Sequence, residues 1–149
     1  MYPISLTMAG VAALINIWLG IRIGDVRRAE KISIGDGGNE KLTARMRAQA
    51  NFIENVPLVL ILIVLIEMAV GGTIDGVAHS PTWLWVVASL FMLGRVAHAL
   101  GMDGSFKQGR MIGTILALLT LTGLGIYAVA LPFLHIDQPT EVENIQASE

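Results

Sequence analysis

Three polar side chains stand at regular spacing where a long apolar run begins, and they are the residues best placed to do chemistry. Arg47, Asn51 and Glu54 follow an i, i+4, i+7 spacing, which puts all three on one face if the segment is helical. Ionisable groups at bilayer depth are costly unless they face protein or water. This polar face therefore predicts a cavity or a buried ion-pair network rather than contact with lipid.

The composition predicts an integral membrane protein. Of the 149 residues, 54% are hydrophobic and only 15% are charged, which is too little charge to cover the surface of a soluble domain of this size. The chain contains no cysteine, so a disulfide framework, a thiolate metal site and a cysteine nucleophile are all excluded. Any thiol chemistry at the polar face must come from a ligand.

Four apolar segments are each long enough to cross a hydrocarbon core of ~30 Å at about 1.5 Å per residue. They are residues 4–21, 42–70, 82–101 and 111–134. Glycine and proline turn signals separate them, and the connections are short, which favours antiparallel neighbours. We expect one all-α, up-down, four-helix transmembrane domain over residues 1–134, followed by an acidic, solvated tail at 135–149.

The positions of the ten lysines and arginines predict the topology. They surround the first and third connections, and the N-terminus, the second connection and the tail have none. The positive-inside rule then makes both basic connections cytoplasmic and puts both termini on the other side. Since topology accounts for the basic residues, they give no indication of nucleic acid binding. The first segment lacks a cleavage site and is read as a retained helix. Glu67 is predicted to lie at the outer membrane interface.

This topology brings polar residues of three segments to the same depth. The polar face of the second segment lies level with Arg95 and His98 on the third, and Arg110 begins the fourth. Glu54 lies about 18 Å along the helix from Leu42, at about 1.5 Å per residue, where a lone carboxylate is expensive. The convergence predicts a shared cavity or a buried ion-pair network in the cytoplasmic half of the membrane.

Each of these residues also has a structural reading. Arg95 can neutralise Glu54 in a structural salt bridge, and Arg47 can be an arginine that reaches the interface from a helix end. Asn51 can hold helices together, as amides commonly do in membrane bundles. His98 can be a core histidine, because the sequence offers no second histidine or carboxylate nearby for a metal site. No metal is therefore predicted.

Two motifs resemble those of one family. The segment RAQANFIENVP at residues 47–57 resembles the signature of the MAPEG family, the membrane-associated proteins in eicosanoid and glutathione metabolism. The segment GRVAH at residues 94–98 resembles a third-helix motif of the same family, and GDGG at residues 35–38 is similar to a loop of its bacterial members. The resemblance covers roughly residues 1–134, with both motifs in the expected helices.

The resemblance implies a homotrimer in a bacterial inner membrane that binds glutathione between neighbouring subunits near the cytoplasmic side. Carried over by position, Arg47, Asn51 and Glu54 hold the tripeptide, with Glu54 on its amino group and Arg47 on a carboxylate. Further contacts are implied for Arg22, Gln49, Arg95 and His98. Arg27 competes with Arg22 for the position at the end of the first helix.

The resemblance also implies a catalytic residue. Arg110 is similar to the arginine with which family members face the glutathione sulfur, with Lys107 as the alternative. The implied function is a glutathione-dependent transferase or peroxidase that takes hydrophobic or lipid electrophiles laterally from the membrane. The family's eicosanoid enzymes often have tyrosines where this chain has Asn55 and Met102. That departure keeps a second hypothesis open, a non-catalytic membrane scaffold that binds glutathione or lipid. A small transporter is a third reading, but neither paired half-helices nor inverted repeats are visible.

Overall fold

The chain folds into four long helices. A computed structural model describes residues 1–74 and 77–134, and the predicted tail at 135–149 lies outside the described residues. The helices are α1 (Pro3–Glu30), α2 (Glu40–Val70), α3 (Thr82–Met102) and α4 (Gly109–Leu134). All four are long and apolar enough to cross a membrane, since even the 21 residues of α3 extend roughly 31 Å. The predicted all-α membrane bundle with four spans is confirmed.

Local chemistry sets the two helix ends around the first connection. Helix α1 ends at Glu30, and the residue that caps it, Lys31, has a left-handed backbone with φ of 54° and donates its backbone N–H to the carbonyl of Arg27. Helix α2 begins after Asn39, whose side-chain oxygen accepts the backbone N–H of Leu42 at 2.9 Å. The predicted glycine turn lies between these two caps.

The second connection contains a small antiparallel pair of strands. Strands β1 (Gly72–Ile74) and β2 (Val77–His79) pair with Gly72 opposite His79 and Ile74 opposite Val77. The glycine and proline signals of this connection predict a turn, and the strands bring the end of α2 back towards the start of α3. The pair belongs to the connection and leaves the four-helix architecture unchanged.

Helices α3 and α4 are in close contact near the connection that joins them. A Cβ atom at Gly101 would run into the backbone nitrogen of Arg110, and one at Gly113 would run into the carbonyl oxygen of Gly94. Only glycine fits at both positions, because the obstacle is backbone and cannot move aside. The contact fixes the start of α4, and Arg110 with it, against the end of α3.

Apolar residues both fill the core and cover the outside of the bundle. Ile4, Ile63, Leu84 and Phe91 are fully buried in one continuous cluster. On the outward faces large apolar side chains stay exposed, among them Leu14, Leu58, Leu118 and Val129. Exposed apolar area of this extent marks a surface that contacts membrane rather than water.

The bundle has two ends, and Glu67, at one of them, does not lie where it was predicted. We call the end with the connections 31–39 and 103–108 the basic end, and the end with the start of α1 and the connection 71–81 the hairpin end. Glu67, predicted at the membrane interface, is fully buried at the hairpin end. The correction follows from what the carboxylate binds.

Glu67 caps the start of α1 from the neighbouring helix. Its two oxygens accept the backbone N–H groups of Ile4 at 2.9 Å and Ser5 at 2.8 Å. They also accept the hydroxyls of Ser5 at 2.5 Å and Ser80 at 2.6 Å. The first N–H groups of a helix have no partner within it, and a negative charge is favoured there. Glu67 therefore ties α1, α2 and the end of the second connection together.

Candidate functional site

A cavity of about 310 Å³ opens between three helices near the basic end. We call it the polar cavity. Helix α2 contributes one face of its first half, α3 its last turns and α4 its first turns. The lining residues are Arg47, Ala50, Asn51, Glu54, His98, Met102, Arg110 and Thr114. Five of the eight residues singled out from the sequence are thus brought to one place.

Helical periodicity explains this lining. Arg47, Asn51 and Glu54 share a face of α2, as their spacing predicts. The other two helices each contribute a pair four residues apart: His98 and Met102 on α3, and Arg110 and Thr114 on α4. Residues four apart lie one above the other on a helix. Met102 and Thr114 could therefore have been predicted as lining residues from His98 and Arg110.

Three charged side chains of the polar cavity are exposed and unpaired. Within the described part of the chain, the side chains of Arg47, Glu54 and Arg110 form no hydrogen bond or salt bridge. Glu54 therefore opens onto the polar cavity with both carboxylate oxygens free of partners among the described residues. Two guanidinium groups and one carboxylate facing shared space suit a ligand that carries charges of both signs.

The structural salt bridge between Arg95 and Glu54 is not formed. Arg95 is 3% exposed and donates from Nη1 to the side-chain oxygen of Asn51 at 2.6 Å. Its other terminal nitrogen donates to the backbone carbonyl of Gly113, and its guanidinium lies 5.5 Å from the ring centre of Phe91. Arg95 thus supports the wall of the polar cavity and does not line it.

His98 is buried and lines the polar cavity on the α3 side. Its Cβ packs where α3 and α4 are closest, since a Cβ atom at Gly113 would run into it. Within residues 1–74 and 77–134, no three histidine or acidic side chains stand close enough together to hold a metal ion. The donor set of the polar cavity, with its two guanidinium groups, likewise favours an anionic ligand over a cation.

Two of the predicted ligand residues lie away from the polar cavity. Gln49 points about 200° around α2 from Arg47, at roughly 100° per residue, and its amide donates to the side-chain oxygen of Asn16 at 3.3 Å. Arg22 pairs with Asp103, and its guanidinium lies 4.5 Å from the ring centre of Trp18. Neither residue lines the polar cavity.

The two alternative basic residues are also outside the polar cavity. Arg27 donates to the carbonyl of Ser33 and to the sulfur of Met46, both at 3.5 Å. Lys107 is exposed in the connection before α4 and does not line the cavity. Arg110 is therefore the cation that the start of α4 offers to the polar cavity.

Asp103, which the sequence did not single out, joins three helices at the basic end. It accepts from Arg22, from Nε of Arg45 at 3.3 Å and from the hydroxyl of Ser105 at 2.9 Å. Burial acts to raise the pKa of the Asp103 carboxyl, but the hydrogen bonds from Ser105 and Arg22 and the nearby guanidinium charges outweigh it and hold that pKa below its ordinary value. Arg45 also donates to the backbone carbonyl of Arg22 at 2.5 Å.

A second space of about 500 Å³ adjoins the polar cavity towards the first connection. We call it the loop cavity. It shares Arg47, Met102 and Arg110 with the polar cavity and adds Asp36 from the first connection. Hydrogen bonds from the Gly38 backbone and the Thr43 hydroxyl hold the pKa of Asp36 below its ordinary value. The polar cavity is thus open towards the basic end.

Comparison with known proteins gives a consistent result. The profile of the MAPEG family matches residues 5–130, a range that includes both cavities and nearly all of the four helices. The chain is also similar to the inner membrane protein YecN of Escherichia coli strains K12 and CFT073. Each is 25% identical over 111 residues, covering 74% of this chain and 78% of the relative. The chain belongs to the MAPEG family.

Proposed function

We propose that this protein is a glutathione-dependent transferase or peroxidase that acts on hydrophobic electrophiles from within a bacterial inner membrane. The observation that carries the proposal is the set of unpaired charges in the polar cavity. Family membership supports the ligand class, and the YecN relatives, which are named as inner membrane proteins, support the location. The basic end then faces the cytoplasm, by the positive-inside rule.

The charges of the polar cavity complement those of glutathione. The tripeptide carries two carboxylates and one ammonium group, so it needs more cationic than anionic partners. Arg47 is suited to a carboxylate by the fork geometry of its guanidinium, and Glu54 is suited to the ammonium group. Both side chains are exposed and unpaired among the described residues, so neither must break an existing bond to bind.

Arg110 is proposed to activate the thiol. A thiol with a pKa of about 8.5 is only a few per cent thiolate at neutral pH. A guanidinium beside the sulfur favours the charged form and lowers that pKa. In conjugation the sulfur forms a bond to an electrophilic carbon, and the leaving group departs with its electron pair.

Peroxide reduction uses the same thiolate. The sulfur bonds to one peroxide oxygen, the O–O bond breaks, and the released alkoxide takes up a proton. A second glutathione then attacks the oxidised sulfur, which yields glutathione disulfide and water. Arg110 serves both reactions by holding the thiolate, so the polar cavity does not by itself favour one over the other.

A trimer would explain the two residues that lie outside the polar cavity. The family's ligand lies between subunits, and Gln49 projects from α2 on the side opposite Arg47. We propose that Gln49 and Arg22 contact the ligand that a neighbouring copy holds. Arg22 would then share its guanidinium between Asp103 and a ligand carboxylate.

The outward face of α4 suits lateral access from the bilayer. Met111, Ile115 and Leu118 follow an i, i+4, i+7 spacing beside Arg110 and are all exposed. An apolar electrophile that moves along this face stays in contact with hydrocarbon until it reaches the start of α4. The electrophile is therefore proposed to be lipid-soluble.

The decisive measurement is glutathione binding by titration calorimetry on protein in detergent, followed by conjugation to an aromatic chloride. We expect binding in the millimolar range or tighter. Arg110→Ala should lower turnover about 100-fold while binding changes less, as for removal of one charge-stabilising donor. Arg28→Ala is the matched control, because Arg28 is exposed and pairs with Asp25 away from both cavities. Absence of glutathione binding to the unaltered protein would refute the proposal.

One observation favours the scaffold alternative. Met102 puts an apolar side chain into the polar cavity where eicosanoid enzymes of the family often have a tyrosine hydroxyl. Asn55 stands at the other such position, and its amide donates to the backbone carbonyl of Asn51 at 2.7 Å. Glutathione binding without turnover, unaffected by Arg110→Ala, would establish this alternative.

A further inference from the structure

Arg95 is a buried cation without an acidic partner. It is 3% exposed, and no acidic side chain of the described residues lies within salt-bridge distance of it. Its Nε is also buried and has no hydrogen-bond partner there. A buried arginine is normally paired with a carboxylate, because leaving the charge unpaired is costly. The position therefore calls for an explanation other than packing.

The bond from Arg95 determines which way the Asn51 amide points. A guanidinium can only donate, so the atom of the amide that faces it at 2.6 Å must be the oxygen. A flipped amide would put two donors against each other and is excluded on chemical grounds. The Asn51 nitrogen is consequently left as the group available to the polar cavity, with two N–H donors.

The same guanidinium holds the third wall of the polar cavity. Its second terminal nitrogen donates to the backbone carbonyl of Gly113, within the first turns of α4. Arg110 and Thr114, which line the cavity, stand on either side of Gly113 in the same helix. One side chain of α3 thus connects the Asn51 donor on α2 with the backbone that carries Arg110.

We propose that Arg95 is a positioning residue: it orients the Asn51 amide so that the Asn51 N–H groups donate hydrogen bonds to an acceptor oxygen of the ligand. The inference rests on the proposed function, in which that ligand is glutathione. Asn51 then recognises a carboxylate or a peptide carbonyl, and Glu54 alone faces the ammonium group. Arg95 acts through Asn51 and does not touch the ligand.

The first test exchanges the donor for an acceptor of the same shape. Asn51→Asp gives Arg95 a charged partner, so the fold should keep its thermal midpoint or gain stability. The donor to the ligand is lost, and we expect glutathione affinity to fall about 10- to 100-fold. Asn39→Asp is the matched control on the same helix: Asn39 is used only as an acceptor at the helix cap, so affinity should not change.

The second test measures coupling between the two residues. If Arg95 sets the direction of the amide, Asn51→Ala should cost about tenfold in glutathione affinity in the unaltered protein. In an Arg95→Gln background, whose amide can donate or accept and so leaves the direction of the Asn51 amide unset, the cost should be less than about threefold. Equal costs in the two backgrounds would mean that Arg95 supports only the fold. The same variants are then titrated with glutathione ethyl ester, in which the glycine carboxylate is blocked. If Asn51→Ala still lowers the affinity for the ester, the acceptor is a peptide carbonyl; if it does not, the acceptor is the glycine carboxylate.

The outcomes separate this inference from the proposed function. If the unaltered protein binds no glutathione, both fail. If it binds and Asn51→Asp binds equally well, the inference fails and the proposed function stands. If Arg95→Gln does not fold, the single Asn51 variants still decide, because the assigned direction predicts a loss for Asn51→Asp in a protein of undiminished stability.

Discussion

Two glutamates on α2 have opposite surroundings. Glu54 and Glu67 lie about 20 Å apart along the helix axis, at about 1.5 Å per residue. Glu67 is fully buried and accepts four hydrogen bonds, two from backbone N–H groups and two from hydroxyls. Glu54 is exposed and has no partner among the described residues.

The comparison distinguishes a charged residue that stabilises the fold, Glu67, from one that is free to bind a ligand, Glu54. Every hydrogen bond of Glu67 goes to its own chain, so the residue holds elements together and has no capacity left for a second molecule. Glu54, Arg47 and Arg110 keep their full capacity and face common space. In this family member, the polar residues worth testing for binding are the ones that the fold leaves unpaired.

The largest effect is expected on stability, from removal of the structural glutamate, Glu67. Glu67→Ala leaves buried donors at the start of α1 without an acceptor, and we expect it to lower the free energy of unfolding by about 3–5 kcal/mol. Thermal unfolding in detergent measures the loss. Glu30→Ala, at the exposed end of α1, should change stability little. If the two variants were equally stable, the capping role of Glu67 would be wrong.

A smaller effect, on glutathione binding, is expected when Glu54, the unpaired glutamate, is changed. Glu54→Gln removes the carboxylate proposed to hold an ammonium group, so glutathione affinity should fall about 10- to 30-fold, or roughly 1.4–2 kcal/mol. The free energy of unfolding should stay within about 0.5 kcal/mol because no bond of the fold is lost. Titration calorimetry and thermal unfolding of the same sample check both. Loss of assembly with binding retained would contradict the assignment.

The smallest effect depends on pH and concerns Asp103. The pKa of Asp103 in the folded protein lies below its ordinary value of 3.8. The contribution of the ionised carboxylate to the free energy of unfolding is therefore fully present above pH 3.8 and is lost as the pH falls through the folded pKa. At pH 7 we expect Asp103→Asn to cost about 1–2 kcal/mol. The difference from the unaltered protein should shrink below about pH 4. A difference that is constant with pH would exclude an ionised Asp103 as its source.

The fold could be predicted because apolar length alone determines a membrane span. The helix ends could not, and α1 shows why. The apolar run ends near residue 21, yet the helix continues to Glu30 through a segment rich in charged residues. Its end is set by the left-handed backbone of Lys31, which hydropathy does not report.

The polar cavity was predictable to the extent that it depends on helical period. Arg47, Asn51 and Glu54 share a face whatever surrounds them. The partner of Arg95 was not predictable, because the distance between helices depends on where backbone meets backbone, as at Gly113 and Gly94. The role of Glu67 was hidden for a similar reason, since the helix start that it caps stands more than sixty positions earlier in the chain.

The cap on α1 has a consequence for how the protein is made. The first turn of α1 emerges from the ribosome long before Glu67 does. Until Glu67 has been synthesised, the backbone N–H groups of Ile4 and Ser5 must therefore find other hydrogen-bond acceptors, such as water or lipid headgroups. The cap on α1 can therefore form only after α2 has been synthesised as far as Glu67. Chains cut before residue 67 would enter the membrane with an open N-terminal turn. The first helix to be synthesised is thus not the first to be finished.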